Sequence, residues 1–155
     1  MEKINTPSVE LNKTFDHTIA GYAFGNLSDE ICKELWKDGR PFSYFIEAWI
    51  CENYPLTHVK KNKKYDFTDN VNSEILYDEK TFTKNGCTFC PSNMLGQDRT
   101  FDQTIFEEKT KKLILCIVSN RDFPNIKIRF VKGEDLINKY PTGKIPLKDF
   151  VEFFN

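Results

Sequence analysis

The middle of the chain carries apolar side chains at helical spacing. This spacing predicts a helix with one buried stripe, formed by Phe42, Phe45, Ile46, Trp49 and Ile50. Pro41 suits the first position of that helix, and Pro55 is expected to close it. A shorter helix is predicted over 28–37, with Ser28 as its N-cap and Gly39 at its end.

Other segments have the content or the alternation of strands. Short extended segments are predicted at 56–60, 64–68 and 74–83. The continuous apolar run 113–118 predicts a central strand covered on both faces, whereas 125–131 alternates and predicts a strand with one wet face. The remaining helices are predicted over 102–112, 133–140 and 146–154.

This order of elements predicts an α/β (α+β) fold, in which a mixed β-sheet carries helices on both faces. The length of 155 residues suits a single domain, 1–155, whose first part, 1–26, is expected to be an irregular arm. Hydrophobic residues make up 39% and charged residues 29%, which is a soluble globular composition. No apolar run or secretion signal suggests a membrane, so a cytoplasmic location is expected.

The five cysteines are expected to be thiols in a reducing compartment. Cys32, Cys51 and Cys116 have apolar neighbours and are interpreted as small buried hydrophobes. Cys87 and Cys90 have the spacing of half a zinc site, but no second pair of cysteines or histidines completes it. Buried thiols are therefore expected there too.

Two carboxylates and a lysine fall where a strand hairpin can gather them. Asp78 and Lys80 are two residues apart, so on a strand they share a face, together with Leu76 and Phe82. Asp66 lies twelve residues before Asp78, a natural hairpin distance. A carboxylate pair can bind a hard divalent cation, and an adjacent ammonium can polarise a phosphate or a water. This is the chemistry of phosphodiester cleavage.

Neighbouring acids leave alternatives to this assignment. Asp69 competes with Asp66, but it sits in a polar turn where Asp commonly accepts local hydrogen bonds, so Asp66 is favoured. Glu79 is expected to point away from Asp78 and not to be a ligand. A simpler interpretation is that Asp78 and Lys80 are exposed partners on a solvent-facing strand, which contribute little.

A helix, then a strand hairpin carrying Asp66 and Asp78-x-Lys80, then a helix and a buried strand resembles the core of the PD-(D/E)XK nuclease superfamily. Type II restriction endonucleases are members of this superfamily. The resemblance covers about 40–131, and Tyr65 stands where the family has a weakly kept proline. It implies a restriction-endonuclease-like fold, magnesium (Mg²⁺) held by Asp66 and Asp78, and a water oriented or activated by Lys80. It also makes Glu47, on the preceding helix, a further catalytic candidate.

Two segments are candidates for DNA contact. A basic patch, Lys60, Lys61, Lys63 and Lys64, precedes Asp66, and such a patch is either solvated surface or a phosphate-binding surface. The loop 86–101 is rich in side chains that read base edges, and four are candidate DNA contacts: Ser92, Asn93, Gln97 and Arg99. The alternative is a loop held together by its own side chains.

These features predict a Mg²⁺-dependent endonuclease that cuts double-stranded DNA at a specific sequence. A domain of this size has one active site, so cutting both strands suggests a homodimer. Two rival hypotheses stay open: a non-catalytic nucleic-acid-binding or interaction domain, and a repair or recombination nuclease for structured or single-stranded DNA. The sequence contains neither a GxxxxGK[ST] phosphate loop nor a GxSxG element.

Overall fold

The computed structural model describes residues 6–60, 64–90, 94 and 100–155. Within these residues the chain forms five α-helices and eight strands. In chain order they are β1 (Thr14–Thr18), α1 (Asp29–Lys37), α2 (Gly39–Asn53), β2 (Leu56–His58), β3 (Phe67–Asp69), β4 (Leu76–Phe82), β5 (Cys87–Thr88), α3 (Gln103–Lys111), β6 (Leu113–Asp122), β7 (Asn125–Lys132), α4 (Gly133–Lys139), β8 (Lys144–Ile145) and α5 (Phe150–Phe153).

Six strands form one mixed sheet in the order β1-β7-β6-β4-β3-β2. Only β4 and β6 run parallel, and the other neighbours are antiparallel. The parallel pair needs a crossover, which α3 supplies between β4 and β6. Strands β5 and β8 form a separate two-stranded sheet. The predicted mixed α/β architecture is confirmed.

The sheet separates two hydrophobic cores, as alternate residues of β6 demonstrate. Cys116 and Val118 pack in one core with Phe42 and Ile46 of α2, while Leu115 and Ile117 pack in the other. That second core includes residues of α3, α4 and α5: Phe106, Leu136, Ile137 and Phe153. Strand β6 is therefore covered on both faces, as its unbroken apolar run predicts.

Local signals place the two N-terminal helices well. The side chain of Ser28 accepts a hydrogen bond from the backbone N–H of Ile31 at 3.2 Å, which confirms the predicted cap of α1. Helix α2 begins at Gly39, two residues earlier than predicted, because Asp38 caps it by accepting from the Arg40 N–H at 3.0 Å. The helix ends before Pro55, as expected.

The expectation of an irregular arm over 1–26 is wrong in one part, because β1 pairs along its whole length with β7. The strand is held by that long-range ladder and by contacts such as Lys127 to Asp16 at 2.7 Å, which no local pattern reveals. The short pair β5 and β8 was likewise not predicted, and 146–154 forms a 3₁₀ turn, Leu147–Asp149, before α5. Among the described helices, none has the length and apolar character needed to cross a bilayer.

Candidate metal-binding active site

Asp66 is fixed at the entrance of the β3–β4 hairpin. Its backbone N–H donates to the carbonyl of Tyr77 at 2.9 Å, and its carbonyl accepts from the N–H of Val59 at 2.8 Å. These bonds hold Asp66 between the chain segments on either side of it. Phe67 is paired with Tyr77 across the hairpin, so Asp66 is the position next to Asp78.

The three predicted residues meet at this point. The carboxyl groups of Asp66 and Asp78 share a hydrogen bond, and the Lys80 Nζ lies 3.2 Å from the Asp78 Oδ2. The Glu79 N–H donates to the Asp66 Oδ2 at 2.8 Å, so the backbone of β4 orients the first carboxylate. The side chains of Lys80 and Asp78 are only 23% and 16% exposed, which excludes a solvent-facing surface pair.

Burial decides the protonation of the two acids. It raises the pKa of Asp78 to about 7, an effect that Asp66 reinforces and Lys80 opposes. Burial also raises the pKa of Asp66, although the hydrogen bonds from Asp78 and from the Glu79 N–H oppose it. Two carboxylates in contact cannot both ionise unless a cation or a proton lies between them. A cation or a shared proton is therefore required between Asp66 and Asp78.

Lys80 keeps its charge in this environment. Burial alone would lower the pKa of its ammonium, but the neighbouring carboxylates of Asp78, Glu79 and Asp66 raise it overall. The side chain is therefore a fixed positive charge beside the two acids.

The donor set fits a hard divalent cation. Two carboxylates that share a proton can exchange it for Mg²⁺, which is bound in many proteins by one or two carboxylates together with waters and substrate phosphates. Over the part of the chain that the structure describes, no group of three or more His, Cys, Asp or Glu residues is arranged around a metal position. Asp66 and Asp78 would thus hold the ion alone, with its other ligands coming from water and substrate.

Glu47 lies beside this centre and is bound to a histidine. The His58 Nε2 is 3.1 Å from the Glu47 Oε2, a contact that ties α2 to β2. The charge of Glu47 also acts on its surroundings, since it helps to raise the pKa of Asp66 and of Glu79. Sequence reasoning missed His58, because nothing in the sequence links positions 47 and 58 until α2 packs beside β2.

Glu79 faces the other side of β4, as expected, but it is buried rather than exposed. Its carboxyl accepts a hydrogen bond from the Thr81 hydroxyl at 2.7 Å, and Thr81 in turn is 3.2 Å from the Ser43 hydroxyl of α2. Burial raises the pKa of Glu79 to about 8, so this acid is protonated near neutral pH.

Asp69 has a structural position. Its carboxylate accepts hydrogen bonds of 2.7 Å from the Ser8 N–H, the Ser8 hydroxyl and the Tyr77 hydroxyl. It also accepts from the N–H groups of Val71 and Asn72, at 2.9 Å and 3.3 Å. These bonds leave it away from Asp78, in agreement with the choice of Asp66 as the first acid.

The predicted DNA contacts are only partly within the described residues. Lys60 and Lys64 are exposed, close in sequence to Asp66. Six further candidates lie outside the described residues: Lys61, Lys63, Ser92, Asn93, Gln97 and Arg99. The role of both segments in DNA contact stays a prediction.

The five cysteines are reduced, in agreement with their interpretation as thiols. Cys32, Cys87, Cys90 and Cys116 are buried, and Cys51 is only half-buried. Burial raises the pKa of the Cys90 and Cys51 thiols, which keeps them protonated and weakly reactive.

Comparison with protein-family models, with curated proteins and with solved structures found no match for this chain.

Proposed function

We propose that this protein is a Mg²⁺-dependent endonuclease that hydrolyses phosphodiester bonds of double-stranded DNA, of the PD-(D/E)XK type. The observation that carries the proposal is the contact between the carboxyl groups of Asp66 and Asp78, with the Lys80 ammonium 3.2 Å from Asp78. Phosphodiester hydrolysis needs a cation that binds phosphate and a positive charge against the developing negative charge. This cluster offers ligands for the first and supplies the second.

The order of elements supports the same proposal. Helix α2 is followed by the antiparallel strands β2, β3 and β4, then by α3 and by β6, which lies parallel to β4. Asp66 precedes the second strand of this unit, and Asp78 and Lys80 lie on the third. This is the succession that the resemblance to the restriction endonucleases implies for the acid, acid and lysine of the motif.

Each residue has a defined part in the proposed reaction. Asp66 and Asp78 bind the cation, and the Glu79 N–H keeps the Asp66 carboxylate turned toward Asp78. Lys80 holds its ammonium against the scissile phosphate and orients the attacking water. When bound, Mg²⁺ acts as a Lewis acid on the phosphate oxygens and lowers the pKa of bound water. Burial of the cluster strengthens these charge interactions by excluding bulk water.

Plasmid cleavage tests the proposal. The wild-type protein with supercoiled plasmid and Mg²⁺ is expected to give cut DNA, and EDTA is expected to stop the reaction. Asp78→Ala should reduce the rate by at least about a hundredfold, since loss of one electrostatic group at a reacting centre has this order of effect. Glu74→Gln serves as the control, because Glu74 is an exposed acid between β3 and β4.

The products separate the remaining hypotheses. Discrete fragments indicate a sequence-specific restriction-type enzyme, which we favour, in the cytoplasm and as a homodimer. Smeared products, or cutting confined to branched or single-stranded DNA, indicate a repair or recombination nuclease instead. DNA binding without any cleavage at any Mg²⁺ concentration would leave only the non-catalytic binding domain.

A further inference from the structure

A second polar cleft lies at the end of the sheet beyond the proposed active site. It has a volume of about 460 Å³ and is lined by residues of four elements that are distant in sequence. Helix α1 ends there, α2 begins there with Gly39 and Arg40, and the turn after β4 contributes Lys84. The end of β6 contributes Asn120 and Arg121.

The lining of this cleft is positively charged. Two of the carboxylates in it are already engaged, because Glu34 pairs with Lys37 at 3.4 Å and Asp38 caps α2. Besides Lys37, three cationic side chains line the cleft: Arg40, Lys84 and Arg121. The guanidinium of Arg121 is held in place by stacking over the Phe150 ring, 4.3 Å from its centroid.

A buried amide gives the cleft a second feature. Asn120 is fully buried, and its Nδ2 donates to the carbonyl of Trp36 at 3.1 Å, which fixes how the amide is turned. Its Oδ1 is buried without a hydrogen-bond partner among the described residues. An unpartnered buried acceptor is costly, so a buried water is expected to satisfy it. Asn120 is thus a fixed polar residue in the wall of the cleft, and the charge that a ligand would meet comes from the cationic side chains.

A single extended ligand can reach both this cleft and the active site. Lys84 follows Lys80 by four residues, and a strand advances about 3.3 Å per residue, so their backbones are separated by at most about 13 Å. Along a DNA strand, charges advance about 3.4 Å per nucleotide, so this distance corresponds to about four nucleotides. A duplex lying across Asp78 and Lys80 is long enough to place another phosphate at Lys84.

We propose that this cleft is a phosphate subsite for the DNA bound at the active site. It holds one backbone phosphate between Arg40, Lys84 and Arg121, the three cationic side chains that line it and form no ion pair with the described residues of the cleft. This inference rests on the proposed function, because it assigns the flanking contacts of the same substrate. When Arg or Lys side chains neutralise a phosphate, counterions are released from the DNA. The affinity that this contact contributes is therefore expected to fall as the salt concentration rises.

Binding of a labelled duplex oligonucleotide in EDTA, measured by fluorescence anisotropy across a salt series, tests this assignment without cleavage. The double variant Lys84→Gln/Arg121→Gln is expected to bind roughly tenfold more weakly, as loss of a charge-assisted contact implies. The slope of log Kd against log salt should fall by about one. The matched control removes the same charge at Lys109 and Lys144, which are exposed and do not line the cleft.

The following results would support or overturn the phosphate subsite. Lys84→Gln alone should give part of the effect and Lys84→Arg should restore it, which separates phosphate contact from the loss of the Arg121 stacking. Wild-type salt slopes in all cleft variants, from a protein that still cuts plasmid, would overturn the subsite and leave the proposed function standing. Absence of duplex binding by the wild-type protein in EDTA and in Ca²⁺, together with absence of plasmid cleavage in Mg²⁺, would overturn both. Binding of deoxyadenosine monophosphate that requires Lys84, with unchanged duplex affinity, would show a separate nucleotide site and also overturn the subsite.

Discussion

Asp78 and Asp69 are both buried acids of the β3–β4 hairpin, and their neighbours give them opposite chemistry. Asp78 is in contact with a second carboxyl group, and burial raises its pKa to about 7. Burial acts in the same direction on Asp69, but the donors of Ser8, Tyr77 and Val71 outweigh it and lower its pKa to about 2. A carboxylate with many donors is a stable anion. A carboxylate with an acidic neighbour favours a bound cation, which is why the proposed active centre includes Asp78 and not Asp69.

The pH dependence of stability provides a test at Asp69. Its pKa is lower in the folded protein than the value of about 3.9 expected for the unfolded chain. Its carboxylate therefore stabilises the fold above about pH 4, and this contribution disappears as the pH falls toward 2. Asp69→Asn is expected to lower the free energy of unfolding at pH 7 by about 2 kcal/mol. Urea unfolding at several pH values measures both quantities.

The same titration contains its own control. Because Asp69→Asn removes the titrating group, the wild-type protein should lose more stability than the variant between pH 5 and pH 2. The two stability curves should therefore converge at low pH. Parallel curves over that range would show that Asp69 has no depressed pKa and that its hydrogen bonds are weaker than the distances indicate.

Glu47 is expected to act on the bound cation from outside its ligand shell. Its charge helps to raise the pKa of Asp66 and of Glu79, and its carboxylate lies 3.1 Å from the His58 Nε2. Removing this charge in Glu47→Gln makes the centre less negative, so the Mg²⁺ concentration for half-maximal cleavage should rise roughly tenfold, as for other second-layer partners of metal sites. Cleavage rates across a Mg²⁺ titration give this value.

Glu52→Gln is the matched control, since Glu52 is an exposed acid on the same helix. Its Mg²⁺ dependence should equal that of the wild-type protein. His58→Gln should lie between the two, because glutamine can keep a hydrogen bond to Glu47 but not the ring that packs against Phe67. If the Mg²⁺ concentration for half-maximal cleavage shifted equally in Glu47→Gln and Glu52→Gln, Glu47 would act only as a general surface charge.

At the scale of the element, side-chain periodicity predicts that Asp66, Asp78 and Lys80 are neighbours, while their role in catalysis stays a prediction. The two-residue repeat of a strand places Asp78 and Lys80 on one face, and a short hairpin brings Asp66 beside them. Both expectations depend on local geometry alone, and the structure agrees with them. The burial of Glu79 was beyond such reasoning, because it depends on how α2 covers β4.

Elements that form only by pairing with segments distant in sequence were not predicted, for the same reason. Strand β1 has a mixed sequence of polar and apolar residues. It forms because β7, more than a hundred residues later in the chain, has backbone groups on one edge that pair with it. The two-residue strands β5 and β8 are too short for any period to show. The pairing of Glu47 with His58 is a similar case, since it needs α2 and β2 to be packed side by side.

The first residues of α2 and α4 are both glycines, but only one is expected to be irreplaceable. A Cβ on Gly133 would overlap the carbonyl oxygen of Thr110, where α4 starts against the end of α3. Gly133→Ala must therefore move backbone, and we expect a loss of about 2 kcal/mol or more in the free energy of unfolding. Chemical denaturation monitored by circular dichroism measures this loss.

Gly39→Ala gives the comparison. Its nearest contact is the Thr83 Cγ2 at 3.4 Å, which is the flexible end of a side chain, so α2 should accept alanine with little change. A gain of a few tenths of a kcal/mol is also consistent, because alanine restricts the unfolded chain. Equal losses in both variants would mean that helix starts in this protein reject alanine generally and that the α3–α4 approach is not special.

At the scale of the whole molecule, the distribution of charge matters more than its sum. The net charge of −1 gives no general attraction to DNA, so binding has to come from local surfaces. The cationic side chains of the cleft at Arg40, Lys84 and Arg121 form one such surface beside the acidic centre. A protein of this kind is expected to bind DNA weakly without a divalent cation and to depend strongly on salt.

The proposed function gives each chain one active centre, and this limits how a duplex can be cut. A single chain offers one Asp66–Asp78–Lys80 cluster, so hydrolysis of both strands in one encounter needs two copies about a twofold axis. The prediction is that supercoiled plasmid with one target site converts to linear DNA without accumulation of nicked circles. Sedimentation of the protein with a duplex oligonucleotide in Ca²⁺ should show two chains per duplex. A monomer acting alone would instead convert nearly all of the plasmid to nicked circles before any linear DNA forms, and this order of products would contradict the dimer.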